Sequence, residues 1–220
     1  MIILFDLDGT LIDSTEAILE SFHNSYDVYN EPHPEDEKIK SLIGHPLDVM
    51  YRGLGIQEEK IWDYVAAYKE HYRVISTQKT LLLSRAKEAI ELASSFAELG
   101  IVTTKTGKYS KVLMEYFGVM DKFDVLIGRE DVKHPKPHEE PILKALEKFE
   151  TKDKEIWMIG DTQMDLVSAS NAKIHSIGVL SGYDKEEILK KYTNIVVSDS
   201  LDAVSYLKSR KFSQMNIISQ

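Results

Sequence analysis

Apolar residues along this chain form two kinds of pattern: short unbroken runs, and runs that repeat every three or four positions. The first run, from Met1 to Phe5, ends at Asp6 with no basic segment before it, which predicts a buried strand and not a leader sequence. After residue 80, helical periods alternate with strand-length runs. The predicted pairs are a helix that begins at Ala86 and stops at Gly100 with strand 101–104, helix 108–117 with strand 124–128, helix 139–149 with strand 155–159, helix 164–172 with strand 174–180, and helix 185–192 with strand 194–197, before a closing helix 201–208.

Such alternation predicts an α/β fold, because parallel strands need helical crossovers that cover both faces of the sheet. Residues 14–80 follow another pattern, with a helix from Ser14, a proline-containing loop over 30–38 and further helical periods beyond it. We therefore predict a Rossmann-like core formed by residues 1–13 and 81–220, with a helical domain, residues 14–80, inserted into it. Four aromatic residues at helical spacing are predicted to belong to the core of the inserted domain, with a substrate platform as the alternative: Trp62, Tyr64, Tyr68 and Tyr72.

The composition narrows the classes of function. The 220 residues include no cysteine, which excludes disulfides and a four-cysteine zinc site. No stretch approaches the roughly 20 apolar residues that span a bilayer. A net charge of -9 provides no broad basic field for a nucleic acid. We expect a cytoplasmic protein that acts on small molecules, with neither membrane nor nucleic acid as partner, and the composition leaves monomer and homodimer open.

Chemically active side chains follow the predicted strands, at the edge where ligands bind in parallel sheets. They are Asp6 and Asp8, Thr103 and Thr104, Lys136, and Asp161 with Asp165. Two aspartates one residue apart can divide the work, one attacking and the other exchanging a proton. Clustered carboxylates repel one another unless a hard cation such as Mg²⁺ lies among them, and hydroxyl and ammonium groups can hold phosphoryl oxygens. The pattern predicts Mg²⁺-dependent phosphoryl transfer.

Four motifs in this order resemble those of the haloacid dehalogenase-like phosphohydrolase superfamily. They are Asp-Leu-Asp-Gly-Thr at 6–10, the strand that ends at Thr103, Lys136 within His-Pro-Lys-Pro, and Gly-Asp-Thr at 160–162 with Asp165 beyond it. Within the superfamily, the sequences around Thr103 and Lys136 are most similar to those of phosphoglycolate phosphatases. Ser84-Arg85 stands where close relatives have a Pro-Gly turn, which weakens the assignment of any single substrate.

The resemblance implies a role for each residue of the motifs. Asp6 would be the nucleophile that forms an aspartyl-phosphate, and Asp8 would protonate the leaving oxygen before activating water. Mg²⁺ would be held by Asp6, the main-chain carbonyl of Asp8 and Asp161, with Asp165 supporting its waters. The phosphoryl group would be bound by Thr103, Thr104 and Lys136. The role of Lys105 is left open between a part in the site and a position that only follows the strand.

About ninety residues separate the first two motifs, which places the inserted domain between them. Relatives carry a small helical cap there, over the active site, with a glycine-containing substrate loop. By that resemblance, Gly44, His45 and Arg52 are candidate substrate contacts in the cap.

The predicted reaction is hydrolysis of a small phosphorylated metabolite, with 2-phosphoglycolate as the leading candidate. A sugar-phosphate or nucleotide phosphatase and a β-phosphoglucomutase are the alternatives. Dehalogenases lack the second acid, so Asp8 argues against their chemistry. A non-catalytic protein that binds a phosphorylated ligand is the rival from another class.

Overall fold

The computed structural model describes the backbone of residues 1–218 and the side chains of residues 1–211. Its helices are α1 (Thr15–Val28), α2 (Asp36–Lys40), α3 (Leu47–Gly53), α4 (Ile61–Ile75), α5 (Ala86–Ser94), α6 (Gly107–Tyr116), α7 (Glu140–Leu146), α8 (Gln163–Asn171), α9 (Glu186–Leu189) and α10 (Ser200–Ile218). Its strands are β1 (Ile2–Phe5), β2 (Ile12–Asp13), β3 (Leu81–Leu82), β4 (Glu98–Val102), β5 (Val125–Ile127), β6 (Ile156–Gly160), β7 (His175–Val179) and β8 (Val196–Val197). Short 3-10 turns lie at Glu58–Lys60, Met120–Lys122 and Arg129–Asp131.

Six parallel strands form the central sheet in the order β5-β4-β1-β6-β7-β8. The four residues of β1 are fully buried, because helices cover both faces of the sheet. Alternate side chains of this strand enter two different hydrophobic clusters, Ile3 and Phe5 on one face and Ile2 and Leu4 on the other. The predicted α/β class is confirmed, and β1 lies at the centre, between the strands that carry the second and fourth motifs.

The predicted boundary at Gly100 is wrong. Helix α5 ends at Ser94, and Gly100 lies in the middle of β4 instead of stopping a helix. A Cβ at this position would come within 2.7 Å of Leu4 Cδ2 and 2.9 Å of Val125 Cγ1, so the glycine is needed for close packing between strands. Two other predictions differ from the structure: α9 is shorter than the predicted helix 185–192, and α2 begins inside the predicted loop 30–38.

Helices α1 to α4 share a hydrophobic cluster that is separate from those of the sheet. On α4, Tyr64, Tyr68 and Tyr72 are buried in this cluster, as their helical spacing predicts. Trp62 is the exception, since it is 61% exposed and does not join the core. The antiparallel pair β2–β3 connects the helices to the sheet and contains both predicted crossing points, although the division into two domains stays a prediction.

Across the described residues, no helix combines the length and the apolar character needed to cross a membrane.

Candidate active site

Asp6 and Lys136 form a buried ion pair at the carboxyl edge of the sheet. Asp6 follows β1, and its main-chain N–H donates to the carbonyl oxygen of Ile159 at 2.9 Å. The side chains are enclosed, since Asp6 is 4% exposed and Lys136 is 3% exposed. Lys136 Nζ donates to Asp6 Oδ1 at 2.8 Å and to the carbonyl oxygen of Val102 at 3.0 Å. The lysine is thus fixed beside one face of the carboxylate.

Burial controls the ionisation of this pair. It raises the pKa of Asp6 to about 7, against the opposing effect of Lys136. Burial alone would lower the pKa of Lys136, but the charges of Asp165 and Asp6 outweigh it, so the net shift is upward. Lys136 is therefore positively charged at neutral pH and can balance negative charge that enters the site.

Asp161 follows β6 and is held by groups from two loops. Thr10 Oγ1 donates to its Oδ1 at 2.8 Å, and the main-chain N–H of Tyr183 donates to its Oδ2 at 3.0 Å. Gly9 crosses directly over this carboxylate with a φ of +85°, and a Cβ there would lie 2.3 Å from Asp161 Oδ2. Burial, with the neighbouring carboxylates, raises the pKa of Asp161 well above its usual range.

Asp165 fixes both a helix end and the lysine. Its Oδ2 accepts hydrogen bonds from the main-chain N–H and the Oγ1 of Thr162, at 3.1 and 2.8 Å, which caps α8. Its Oδ1 accepts a hydrogen bond from Lys136. A Cβ at Gly160 would lie 2.4 Å from Asp165 Cβ, so the glycine lets the strand approach the helix. Asp165 is therefore a second acidic partner that holds Lys136 in place.

Three buried carboxylates converge at this edge of the sheet. One oxygen from each of Asp6, Asp161 and Asp165 lies within 4.8 Å of the other two. One lysine cannot neutralise three carboxylates, and the neighbouring carboxylates add to burial, the larger cause, in raising the pKa values of Asp6 and Asp161. Buried oxygen ligands of this kind suit a hard divalent cation such as Mg²⁺. The carboxylate of Asp8 does not belong to the group, so only its main-chain carbonyl could contribute.

The side chain of Asp8 is held apart from the carboxylate group by a hydroxyl and an ammonium. Ser14 Oγ donates to its Oδ1, and Lys105 Nζ lies 3.1 Å from its Oδ2. The Lys105 ammonium also lies 4.7 Å from the centroid of the Tyr72 ring. Burial alone would lower the pKa of Lys105, but Asp8 and Tyr72 outweigh this effect and raise it. The structure thus brings Lys105 into the site, a question that the sequence left open.

The two threonines after β4 have different partners. Thr103 is buried, and its Oγ1 accepts a hydrogen bond from the main-chain N–H of Lys105 at 3.1 Å. Thr104 Oγ1 donates to the carbonyl oxygen of Gly44 at 2.9 Å. The hydroxyl of Thr104 is therefore engaged with the cap loop, and not directed to the Asp6 carboxylate.

Of the three candidate cap residues, the structure brings two to the site. Gly44 has a φ of +102°, and a Cβ there would lie 3.2 Å from Thr162 Cγ2. His45 lines a cavity beside Asp8. Arg52 does not line this cavity, because its Nε and Nη2 donate to the Glu58 carboxylate at 2.8 and 2.7 Å on the exposed surface. This two-bond fork directs the guanidinium away from the core.

The cavity beside Asp8 has a volume of about 250 Å³ and lies between the cap helices and the loops after β4 and β5. Three groups of the site were not predicted from the sequence, namely Ser14, Tyr183 and the cavity residue Lys69, and for the cavity residue Trp62 the sequence favoured a position in the core. Ser14 and Tyr183 lie outside the four motifs, and no local pattern marks them. The position of Trp62 could have been predicted, because it lies on the same helix as the buried tyrosines but is offset from the face that they share.

Comparison with known proteins identifies the family of the chain. The family model of haloacid dehalogenase-like hydrolases matches residues 3–179 of the chain. The chain belongs to this family. The pyrophosphatase PpaX of Bacillus velezensis is 31% identical over 208 residues, covering 88% of this chain and 94% of that protein. The probable phosphatase IndB of Dickeya dadantii is 29% identical, covering 92% and 91%.

A solved structure from the same family has the same fold. A haloacid dehalogenase-like hydrolase of Bacteroides fragilis superimposes with a TM-score of 0.86 at 26% identity, covering 92% of this chain and 98% of that one. A predicted phosphoglycolate phosphatase of Haemophilus somnus has a TM-score of 0.85 at 24% identity, covering 94% and 97%. The second likeness concerns the fold alone. The prediction of a haloacid dehalogenase-like hydrolase is confirmed.

Proposed function

We propose that this hydrolase cleaves phosphate monoesters through an aspartyl-phosphate on Asp6, with Mg²⁺ as its metal. The observation that carries the proposal is the separation of the two acids of the first motif. Asp6 lies with Lys136 and the carboxylate group, whereas the carboxylate of Asp8 lies with Lys105 and Ser14 beside a cavity. This separation supports attack by Asp6 and proton exchange with a leaving group by Asp8.

The reaction begins when a carboxylate oxygen of Asp6 attacks phosphorus. The bond between phosphorus and the leaving oxygen breaks, and Asp8 donates a proton to that oxygen. Asp8 then removes a proton from a water molecule, whose oxygen attacks the phosphorus of the aspartyl-phosphate. The phosphorus–oxygen bond to Asp6 breaks, and inorganic phosphate is released.

The surrounding groups balance charge and fix positions during both steps. Lys136 offsets the negative charge of the phosphoryl oxygens, and Asp165 holds it in place. When bound by Asp6, Asp161 and the Asp8 carbonyl, Mg²⁺ supplies further neutralisation of phosphoryl charge.

The substrate is a small phosphorylated molecule, with 2-phosphoglycolate as the candidate from the sequence. Inorganic pyrophosphate is a second candidate, because a relative at 31% identity over most of its length is named a pyrophosphatase. The same two steps cleave pyrophosphate, with phosphate as the leaving group. Sugar phosphates and nucleotides complete the range, and a β-phosphoglucomutase would pass the phosphoryl group to a second sugar hydroxyl instead of water.

The test measures phosphate release from a panel of these substrates, with Mg²⁺ and with chelator, by the wild type and by Asp6→Asn. Asp121→Asn is the matched control, because Asp121 is exposed and distant in sequence from all four motifs. Hydrolysis that needs Mg²⁺, is lost in Asp6→Asn and persists in Asp121→Asn supports the proposal. Multiple turnover by Asp6→Asn would refute it. A second test uses a substrate with a labelled phosphoryl group and Asp8→Asn, quenched with acid after one turnover. Release of the leaving group without label on the protein would also refute the proposal.

A further inference from the structure

The cavity beside Asp8 lies where the leaving part of a substrate must be. If Asp8 protonates the leaving oxygen, as the proposed function on which this inference rests requires, the group attached to that oxygen lies on the Asp8 side. Asp8 and Lys105 line the cavity, whereas Asp6 and Lys136 do not. The cavity is therefore space for the leaving group and not for the transferring phosphoryl group.

Most of the cavity wall is apolar. Helices α3 and α4 of the cap and helix α6 of the core provide Leu47, Met50, Trp62, Val65, Tyr68 and Tyr109. Trp62 is 61% exposed although it lies on the same helix as three buried tyrosines, so its ring stands at the open side of the cavity. Aromatic and branched side chains around a small enclosed volume favour a ligand with apolar surface of its own.

The charges of the cavity wall balance. The wall contains three basic side chains and three acidic ones, together with one imidazole: Lys69, Lys105 and Arg129, Asp8, Asp48 and Glu130, and His45. Lys105 is paired with Asp8, and Glu130 accepts from two main-chain amides at the start of α6. Lys69, Arg129 and His45 can donate to a polar end of a ligand, but the wall has no excess of basic groups.

Small anionic leaving groups match this cavity poorly. Glycolate and phosphate each have five heavy atoms, and at about 30 Å³ for each water-sized group they would fill at most about 150 Å³. The cavity has about 250 Å³, so at least two fifths of it would stay empty or hold water against apolar walls. An anion placed there would also lose hydration in a wall whose three basic groups are matched by three acidic ones, Asp48 among them.

We propose that the preferred substrates are phosphate monoesters of alcohols with an aromatic or branched aliphatic body of roughly eight to ten heavy atoms, a size set by the cavity volume. Trp62 and Leu47 then select the substrate by contact with that body. Both 2-phosphoglycolate and pyrophosphate, whose leaving groups are compact anions, should then be hydrolysed less efficiently than such esters.

The experiment compares esters that differ in the body and not in intrinsic reactivity. Ethyl phosphate and 2-phenylethyl phosphate are both esters of simple primary alcohols, and 2-phosphoglycolate and pyrophosphate represent anionic leaving groups. We expect kcat/KM for 2-phenylethyl phosphate to exceed that for ethyl phosphate by about tenfold or more, since each well-packed methylene in an apolar pocket contributes a factor of about 10 or more. It should exceed kcat/KM for 2-phosphoglycolate as well.

Two variants connect the preference to the cavity. Trp62→Ala and Leu47→Ala should each reduce the ratio of kcat/KM for the two alkyl esters at least threefold. Tyr116→Ala is the matched control, because Tyr116 is 63% exposed, like Trp62, but does not line the cavity. The control should retain the wild-type ratio. Since Trp62 is largely exposed, its replacement does not endanger the fold.

The outcomes separate the two proposals. If the wild type fails to hydrolyse even p-nitrophenyl phosphate with Mg²⁺, the proposed function itself fails. The wild type could hydrolyse p-nitrophenyl phosphate and yet have a kcat/KM for ethyl phosphate or 2-phosphoglycolate equal to or above that for 2-phenylethyl phosphate. In that case only the substrate class is overturned. An equal change of the ratio in Tyr116→Ala and Trp62→Ala would also overturn it, because the cavity would then not be the source of the preference.

Discussion

Removing the negative charge of the nucleophile should stabilise the metal-free protein while abolishing turnover. In Asp6→Asn the shape of the side chain is preserved, but the amide cannot ionise or form an acyl-phosphate. Burial raises the pKa of Asp6 from 3.8 to about 7, so ionising this carboxyl in the folded protein costs free energy. Active-site groups are often held at the expense of stability in this way.

The magnitude follows from linkage between protonation and folding. A pKa raised from 3.8 to about 7 corresponds to about 4 kcal/mol of stability, present at pH values below the unfolded pKa and lost as pH rises through the folded pKa. Asparagine avoids this loss. The favourable effect of Lys136 on the charged carboxylate is already contained in the pKa of about 7. In the variant, Lys136 keeps Asp165 and the Val102 carbonyl as partners. We therefore expect Asp6→Asn to be more stable than the wild type by up to about 4 kcal/mol at pH 8, and the gain to fall to about 1 kcal/mol near pH 4.5.

Urea denaturation in chelator, followed by tryptophan fluorescence at pH 4.5, 6 and 8, measures this effect. The buried Trp157 reports on the sheet, and Asp121→Asn controls for loss of one negative charge from the surface. A wild type that is the more stable protein at pH 8 would refute the reasoning. So would a difference between the two proteins that is the same at every pH, because the ionisation of Asp6 would then not be its cause.

Three further predictions concern the metal, the proton donor and the backbone. Saturating Mg²⁺, at about 100 times its Kd, should stabilise the wild type by about 2.7 kcal/mol and raise its Tm accordingly. The Tm of Asp161→Ala should rise much less with Mg²⁺. Equal shifts of Tm in the two proteins would show that Asp161 is not a metal ligand. Lys105→Met should lower kcat/KM for alkyl phosphates by roughly 10- to 100-fold, the equivalent of a charge-assisted hydrogen bond of about 1.5–3 kcal/mol. The kcat/KM for p-nitrophenyl phosphate should fall less, because its leaving oxygen needs no proton. Equal losses on both substrates would indicate a structural role for Lys105. Gly9→Ala should lower Tm and activity together, since its φ of +85° strains any other residue by about 1–2 kcal/mol and the new Cβ would collide with Asp161; unchanged thermal unfolding would contradict this geometry.

The arrangement of the motifs could be predicted because it depends on strand order and not on detailed packing. Asp6 and Asp161 are far apart in the chain, yet β1 pairs with β6, and parallel strands bring their carboxyl ends to one edge. The apolar run before each motif identifies the strand, and the fully buried β1 shows how strong that signal is. Residues that follow such runs directly were therefore placed together from sequence alone.

The structural role of Gly100 and the direction of the Arg52 side chain could not be predicted from the sequence. Gly100 follows a helical period, as a helix stop does, but only the neighbouring Leu4 and Val125 side chains show that it belongs to a strand. Arg52 lies in a cap helix at a plausible distance from Gly44, yet its guanidinium turns toward Glu58. In both cases the deciding partner is a side chain that no periodic pattern identifies.

In the proposed mechanism, the environment of Asp8 connects leaving-group binding with proton transfer. Its two partners come from different parts of the chain, Ser14 beside β2 and Lys105 after β4, and Tyr72 of α4 lies over the Lys105 ammonium. Helix α4 also forms part of the cavity wall, so contact with a leaving group stabilises the same helix that covers the partner of the proton donor. Binding energy from the remote part of a substrate can then appear in kcat as well as in KM, because it favours the arrangement in which Asp8 faces the leaving oxygen. Truncating the substrate and replacing Lys105 should for this reason have less than additive effects on kcat/KM, since both weaken the same positioning of Asp8.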